Sequence, residues 1–432
     1  METQKSALFT RDFTLVVIGQ IISLFGNAIL HFALPLYLLR ETGSIALFGA
    51  VNACSFLPMI LMGPMGGTAA DRADKGRIMA GLDFFTAGLT LCYTLLWGRV
   101  PLVPLVIVTL MLLYAIAGAY QPAVQASLPL LLAPGRLTQG NAVINMVSTL
   151  ANLLGPALGG IIFGLWGLGP ILTIGGVCFF CSAVMELFLR IPHVPSPRTA
   201  GVLATVGQDL GESWRYISRE RPVFLSVTLV LSAFNLVLSA VMIVGIPAIV
   251  AQVLGMNDAS MGLTQAAMGL GGLLGGLLAG AIGQRLRPRH GSLCLLACAG
   301  TAAVMGLSVL PGVPTAVSYW LITLMSMLAM AVATLFTIVL LTLVQAQVPG
   351  QLLGKVIACI QAVANCASPL GQAAYGLLFD RLPPWAVLLG AASLSALVAL
   401  HAKRVFRRLE ETPEAATKCP WGTGANSCGE LF

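Results

Sequence analysis

Residues 102–124 read LVPLVIVTLMLLYAIAGAYQPAV and contain no charged side chain. A helix of about 20 apolar residues is long enough to cross the hydrocarbon core of a bilayer. The rest of the chain has the same character, because 57% of its 432 residues are hydrophobic and only 9% are charged. So few polar groups leave too little surface for a water-soluble protein, and the sequence therefore predicts a membrane protein.

Twelve apolar runs of this length, separated by short polar breaks, predict twelve membrane-spanning helices. They lie near residues 13–38, 45–69, 78–97, 102–124, 141–164, 169–190, 222–250, 259–283, 291–310, 315–343, 355–379 and 384–402. The first run is too long for the core of a signal peptide, so it is predicted as a span of the mature protein. The predicted fold class is all-α and integral to the membrane.

The basic residues predict which way the helices run. With twelve spans and a cytoplasmic N-terminus, all but three of the 23 Lys and Arg residues fall on the cytoplasmic side, the exceptions being Arg40, Arg99 and Arg381. Loops on the cytoplasmic side of membrane proteins carry an excess of Lys and Arg. We therefore expect both termini to be cytoplasmic, and we attribute the net charge of +7 to this placement and not to nucleic-acid binding.

Residues 191–221 are the longest polar stretch between spans and divide the spans six and six. Within it, Val206, Leu210, Trp214 and Ile217 recur at helical spacing, which indicates an amphipathic helix at the membrane interface. We predict an N-terminal six-helix bundle at 1–190, this linker at 191–221, a C-terminal six-helix bundle at 222–405 and a cytoplasmic tail at 406–432. Residues 125–164 and 345–376 share a polar turn and a Gly/Pro-marked helix, so the halves are repeats with a substrate site expected between them.

The turn after the second apolar run reads GTAADRADKGR at residues 67–77. A small residue allows close helix approach, and the charges suit helix ends. The pattern G-x-x-x-D-R with a following basic cluster resembles motif A of the major facilitator superfamily. The resemblance implies a conformational latch at Gly67, Asp71, Arg72 and Arg77. The alternative is a positive turn that only orients the helices.

Residues 155–160, GPALGG, resemble in part the motif of drug/proton antiporters in the same superfamily. The residues concerned are Gly155, Pro156, Gly159 and Gly160. Glycines at this spacing also make a smooth packing face and proline bends a helix, so ordinary tight packing is the alternative.

Residues 19–44 and 353–371, GQIISLFGNAILHFALPLYLLRETGS and LGKVIACIQAVANCASPLG, are similar to the macrolide-efflux and enterobactin-exporter branch of the superfamily. The resemblance covers nearly the whole chain. It implies an exporter of the bacterial inner membrane, driven by proton influx, with an amphipathic small molecule as cargo. The arginine that the family's fourth-span motif usually includes, and that is implicated in proton transfer, is absent from residues 102–124.

Three ionisable residues, His31, Asp83 and Glu186, fall inside the predicted spans, where such groups are expensive and often functional. Asp83 and Glu186 are candidate proton sites, and the alternative is structural pairing with Arg77 and Arg190. His31 is a candidate for proton or substrate binding, with a hydrogen bond inside the bundle as the alternative.

Other polar and soft residues in the spans predict a largely apolar pocket with scattered hydrogen-bonding groups. They are Asn27, Asn52, Tyr114, Tyr120, Gln121, Asn145, Asn235, Gln265, Met268, Gln361 and Asn365. From this set Asn27, Tyr120, Asn145 and Gln361 join His31, Asp83 and Glu186 as candidate proton or substrate sites. Such a pocket suits neutral or cationic amphiphiles and lacks the fixed cations that polyanions need.

The sequence thus favours a monomeric secondary transporter that exports macrolide-like or multidrug amphiphiles by proton antiport. Siderophore export or lysophospholipid transport on the same fold is the alternative. A membrane enzyme is disfavoured because neither H-E-x-x-H nor G-x-S-x-G occurs. The expected partners are the cargo, membrane lipid and protons; no cofactor, metal or nucleic acid is expected.

Overall fold

The computed structural model describes residues 8–191, 211–282, 288–348 and 350–411. Over these residues the protein is helical, and twelve of its helices are long and apolar enough to cross a membrane. The predicted number of spans and the all-α fold class are confirmed.

The first half contains helices α1 to α6. Their bounds are Arg11–Thr42 for α1, Ile45–Arg72 for α2, Lys75–Leu96 for α3, Leu102–Leu131 for α4, Leu137–Trp166 for α5 and Leu168–Glu186 for α6. The second half contains α7 to α12, at Pro222–Val253, Asp258–Ile282, Pro288–Ser308, Thr315–Gln347, Gly350–Arg381 and Pro384–Glu411. Because α12 continues to Glu411, it extends into the predicted tail.

Local signals explain where several helices begin and end. The Thr10 hydroxyl accepts a hydrogen bond from the Phe13 N–H at the start of α1, and Gly43 ends that helix in the left-handed conformation at φ 65°. Asp74 caps α3 by accepting hydrogen bonds from the N–H groups of Gly76 and Arg77. These side chains satisfy backbone donors that have no partner inside the helix.

Helix α7 departs from the regular helix that its apolar sequence predicts. It contains π-helical segments at Asn235–Ser239, Val241–Gly245 and Ile249–Val253. Pro247 lies between the last two, and its ring nitrogen donates no hydrogen bond to the preceding turn. Hydropathy does not distinguish α from π geometry, so the sequence pattern carried no sign of these segments.

The two halves meet along two helix pairs, α2 with α11 and α5 with α8. A methyl group at Gly49 would lie 2.5 Å from the Gln372 carbonyl oxygen and 2.9 Å from the Gly376 Cα, so α2 and α11 touch backbone to backbone. A methyl group at Gly160 would lie 2.7 Å from the Gly262 Cα, so α5 and α8 touch in the same way. We call these two contacts the seams.

Polar contacts reinforce the seams at one face of the molecule. Each pair of consecutive spans reverses direction, so the ends of α1 and α11 and the starts of α2 and α8 share one face; we call it the opposite face, and the face with residues 11 and 411 the terminal face. Arg40 pairs with Asp258 at 3.0 Å and donates to the Met256 carbonyl oxygen at 2.6 Å. Asp380 accepts hydrogen bonds from the N–H groups of Ile45 and Ala46, and so caps α2 from the other half. At the opposite face the halves are therefore tied together.

Some predicted features lie outside the described residues. These include the linker residues Val206 and Leu210, the side chains of Asp71 and Arg72 and the surroundings of Gly67. Of the motif A set, Arg77 is described: it is exposed and its Nε lies 3.7 Å from Asp74 Oδ2.

The described end of the linker, from residue 211, is helical and continues as the π-helical Tyr216–Glu220. Ile217 is buried, whereas Trp214, predicted on the same apolar face, is exposed. Glu212 pairs with Lys355 of α11 at 2.9 Å and so attaches this segment to the second half.

Candidate functional site

A cavity of about 600 Å³ lies between the halves. Its walls come from α1, α2, α4 and α5 of the first half and from α7 and α8 of the second. The polar lining consists of hydroxyls, amides and one imidazole: Ser23, Asn27, His31, Asn52, Tyr114, Tyr120, Gln121, Ser148, Asn152 and Gln265. Within the described part of the chain, no Asp, Glu, Lys or Arg lines this cavity. A bound molecule therefore meets apolar surface and scattered neutral hydrogen-bonding groups.

Three aromatic rings form one wall of the cavity. The His31 and Tyr114 rings stack with centroids 4.2 Å apart and planes 19° apart, and the Phe56 ring meets Tyr114 edge-on at 5.8 Å. His31 Nε2 is buried and has no hydrogen-bond partner among the described residues. This aromatic wall offers stacking surface beside one imidazole nitrogen that has no partner among the described residues.

Asp83 and Glu186 lie behind the cavity wall, in what we call the carboxyl cluster (Ser23, Asp83, Tyr120, Ser182, Glu186). The Ser23 hydroxyl donates to Asp83 Oδ2 at 2.5 Å and lies 3.5 Å from the Ser182 hydroxyl. The Tyr120 hydroxyl donates to Glu186 Oε1 at 2.6 Å. Four helices of the first half, α1, α3, α4 and α6, thus converge on two carboxyl groups.

The structural pairing of these acids with Arg77 and Arg190 is not found among the described residues. Asp83 and Arg77 are six residues apart, which places them on different faces of α3. Helix α6 ends at Glu186, so Arg190 is not one helical turn further on; its backbone N–H lies 3.3 Å from Asp12 Oδ1 instead. The pairing of Glu186 was wrong because the sixth span was predicted to continue to residue 190, and the pairing of Asp83 was wrong because Arg77 lies on another face of α3.

The remaining predicted site residues divide into two groups. Asn27 and Tyr120 line the cavity, with Asn52, Tyr114, Gln121, Gln265 and Met268. Asn145 and Gln361 are exposed and lie outside the cavity lining, and Asn235 donates to the Ala364 carbonyl oxygen at 3.0 Å, within 3.5 Å of Asn365.

The GPALGG segment takes part in three different contacts. Gly155 and Gly159 pack against Ala28 and Phe32 of α1, within the first half. Pro156 lines the cavity, and Gly160 belongs to the seam with α8. Each glycine of this segment therefore has a packing role, and a role in antiport stays a prediction.

Sequence reasoning missed the α7 lining and, on α8, found Gln265 and Met268 but not Met261. Met242, Ile243, Pro247 and Met261 face the cavity, as does Phe56 on α2. These residues are apolar like their lipid-facing neighbours, so polarity gave no signal for them. A methionine-rich wall is adaptable in shape, because the methionine side chain is unbranched and flexible.

Comparison with known proteins agrees with this architecture. The sequence profile described as Major Facilitator Superfamily matches residues 16–371 and 236–421. Macrolide efflux protein A of Streptococcus pyogenes is 22% identical over 396 residues, which are 91% of this chain and 96% of that protein. Lysophospholipid transporter LplT of Cronobacter sakazakii is 28% identical over 230 residues, which are 52% of this chain and 51% of that protein.

Among solved structures, a bacterial homologue of the human lysosomal transporter Spinster, in an inward-facing and unoccupied conformation, resembles this chain with a TM-score of 0.70. It is 14% identical, and the match covers 94% of this chain and 100% of that one. At this identity the likeness concerns the fold alone.

Proposed function

Because the chain belongs to the major facilitator superfamily, we propose that it exports amphipathic small molecules of the macrolide or multidrug type by alternating access, in exchange for protons. It is a multi-pass bacterial membrane protein and a transporter, not an enzyme. The proposal places it in the cytoplasmic membrane with both termini in the cytoplasm, as the distribution of Lys and Arg favours.

The observation that carries the proposal is the composition of the cavity. At about 600 Å³ it falls in the usual size range of small-molecule sites, about 300–1,000 Å³. Its aromatic wall favours a bulky apolar body, and its amides and hydroxyls suit scattered polar groups on that body. The similarity to Macrolide efflux protein A over 91% of the chain supports the same cargo class.

Lysophospholipids, and siderophores that carry carboxylates, fit this lining less well. A phosphate or carboxylate on the cargo calls for Arg, Lys or another cation in the site. The described cavity lining contains neither of these residue types. A cargo that is neutral or carries an ammonium group avoids this mismatch.

The first test is accumulation of radiolabelled erythromycin in a pump-deficient bacterium that expresses the protein. We expect lower accumulation than in cells with empty vector, and a rise towards the vector level when a protonophore is added. Equal accumulation in the two strains, with expression verified in the membrane, would contradict macrolide export; lower accumulation that a protonophore leaves unchanged would contradict proton coupling.

A matched pair of variants on α5 tests whether the cavity selects the cargo. Asn152→Asp puts a carboxylate into the lining, whereas Asn145→Asp puts one on the same helix outside the lining. We expect Asn152→Asp to raise the preference for cationic over anionic amphiphiles in competition assays, and Asn145→Asp to leave it unchanged. Equal effects of the two variants would mean that this cavity is not where cargo binds.

A further inference from the structure

The carboxyl cluster holds two buried acids with too few hydrogen-bond donors. Asp83 and Glu186 are each 1% exposed. Their hydrogen-bond partners are neutral hydroxyl groups, those of Ser23 and Ser182 at Asp83 and that of Tyr120 at Glu186. Glu186 Oε2 is buried and has no hydrogen-bond partner among the described residues. A carboxylate has two oxygens and about four acceptor positions, so neither group has all its acceptor positions filled as an anion.

The surrounding helices supply no positive charge to these acids. The charged residues nearest in the chain lie at helix ends: Asp12 at the start of α1, Lys75 and Arg77 at the start of α3, and Arg190 after α6. The spans of α4 and α5 contain no Asp, Glu, Lys or Arg. In the described part of the protein, no ion pair joins Asp83 or Glu186 to a Lys or Arg.

Two buried carboxylates without a cation are costly, because each loses its hydration and each repels the other. A proton is the counter-charge that needs no extra space between the packed helices. The hydroxyl groups of Ser23 and Tyr120 can donate to a carboxylate or accept from a carboxylic acid, so the same side chains serve both protonation states.

We propose that Asp83 and Glu186 together bind the proton that drives export, and that Ser23 and Tyr120 connect this site to the cargo cavity. The inference rests on the proposed exchange of cargo for protons. Binding adds one proton to a carboxylate oxygen and raises the charge of the cluster by one; release returns that proton to water. No other bond forms or breaks.

The geometry also indicates whether cargo binding favours binding or release of the proton. Ser23 and Tyr120 line the cavity while they donate to the carboxyl groups behind it. Tyr120 uses its one hydroxyl hydrogen in the bond to Glu186. Its hydroxyl oxygen can therefore act only as an acceptor towards a molecule in the cavity. A cargo hydroxyl or ammonium that donates to Tyr120 strengthens the bond from Tyr120 to Glu186, since chained hydrogen bonds polarise one another.

A stronger bond from Tyr120 stabilises the ionised form of Glu186. Cargo binding therefore favours release of the proton, and by linkage proton binding favours release of the cargo. This reciprocity is what exchange of cargo for protons requires. It assigns to the cargo a hydrogen-bond donor, a hydroxyl or ammonium group, directed at Tyr120.

A titration without cargo tests the proton site separately from the transport proposal. Infrared difference spectra of the purified protein in lipid, recorded as the pH is changed, report carboxyl groups that gain or lose a proton. We expect a carboxylic C=O band that is lost in Asp83→Asn or in Glu186→Gln and shifted in frequency in Tyr120→Phe, which keeps both acids. Glu41→Gln, at an exposed carboxyl group on the same half, is the control and should leave the band in place.

A band that persists unchanged in all three cluster variants would overturn the assignment. The coupling is tested by adding erythromycin to the weakly buffered protein and measuring proton release with a pH indicator. Release in the parent that is lost in Tyr120→Phe supports the relay; equal release in both overturns it. If erythromycin is not exported by cells while the infrared band behaves as expected, the proton site is supported and the proposed cargo is what fails.

Discussion

Gly160→Ala places a methyl group where α5 meets α8 at a seam between the halves. That methyl carbon would lie 2.6 Å from the Asp258 carbonyl oxygen and 2.7 Å from the Gly262 Cα. Both neighbours are backbone atoms, so neither moves by a side-chain rotation. The matched control is Gly164→Ala, one turn further along α5, whose methyl group would meet α8 at an ordinary 3.5 Å.

The magnitude follows from the distances. Moving the shortest contact from 2.6 Å to 3.4 Å, where ordinary van der Waals contact begins, requires the two helices to separate by about 0.8 Å. Forcing one extra methyl group into a packed contact costs about 1–3 kcal/mol. Because this cost falls on the conformation in which the seam is closed, it shifts the equilibrium towards an open seam by about 5- to 150-fold.

Pulsed electron–electron double resonance between spin labels measures this shift. Exposed Arg99 and Thr315 lie at the opposite face, one in each half, and can carry the labels once the ten native cysteines are replaced. We expect Gly160→Ala to move population to longer distances and Gly164→Ala to match the parent. Identical distance distributions in both variants and the parent would refute the view that backbone contact at Gly160 holds the opposite face closed.

Three further substitutions test other contacts. Asp380→Ala removes the cap that the second half provides to α2 and should lower the free energy of unfolding by about 0.5–2 kcal/mol. The measurement is the melting temperature, which should fall. An unchanged melting temperature would show that solvent replaces the cap. Gly19→Ala would bring a methyl group to 2.8 Å from Glu186 Oε1 and should change the pH dependence of export. The control Gly81→Ala, which has open space around the new methyl group, should leave the pH dependence unchanged. Equal pH profiles for the two variants would count against the proton site. His31→Leu removes the stacking of His31 on Tyr114, worth about 0.5–1.5 kcal/mol, and should lower the melting temperature without changing the pH dependence of export. A changed pH profile would instead indicate proton binding at this residue.

The fold was readable from the sequence because the bilayer imposes a length on each span and the loops carry a charge bias. These two constraints predicted the number of helices and the direction in which they run. They are blind to backbone geometry inside an apolar run, which is why the π-helical segments of α7 were missed. They also do not predict glycine contacts between the halves. Gly160 and Gly276 lie in similar glycine-rich sequence, but of the two only Gly160 has another helix within 4 Å of the position that a methyl group would occupy.

The candidate site was readable only where polarity marks it. Asn27, His31 and Tyr120 were found because polar groups are rare in spans, and they do line the cavity. The partners of Asp83 were not found, because a serine on another helix gives no sign in the sequence that it will donate to a given acid. Asn145 was included for the same reason as Asn27, but it lies outside the cavity lining. A polar side chain in a span can face lipid headgroups or solvent as well as a cavity.

The glycine contacts at the seams, where the two halves move against each other, are distinct from the side chains that line the cavity and contact the cargo. Where two helices touch through backbone atoms, the contact demands small residues and places almost no demand on the identity of other side chains along those helices. The cavity residues can therefore change to admit a new cargo while the surface between the halves is left as it was. A protein built in this way can acquire new cargoes by single substitutions, and a change in what it exports need not alter how it moves.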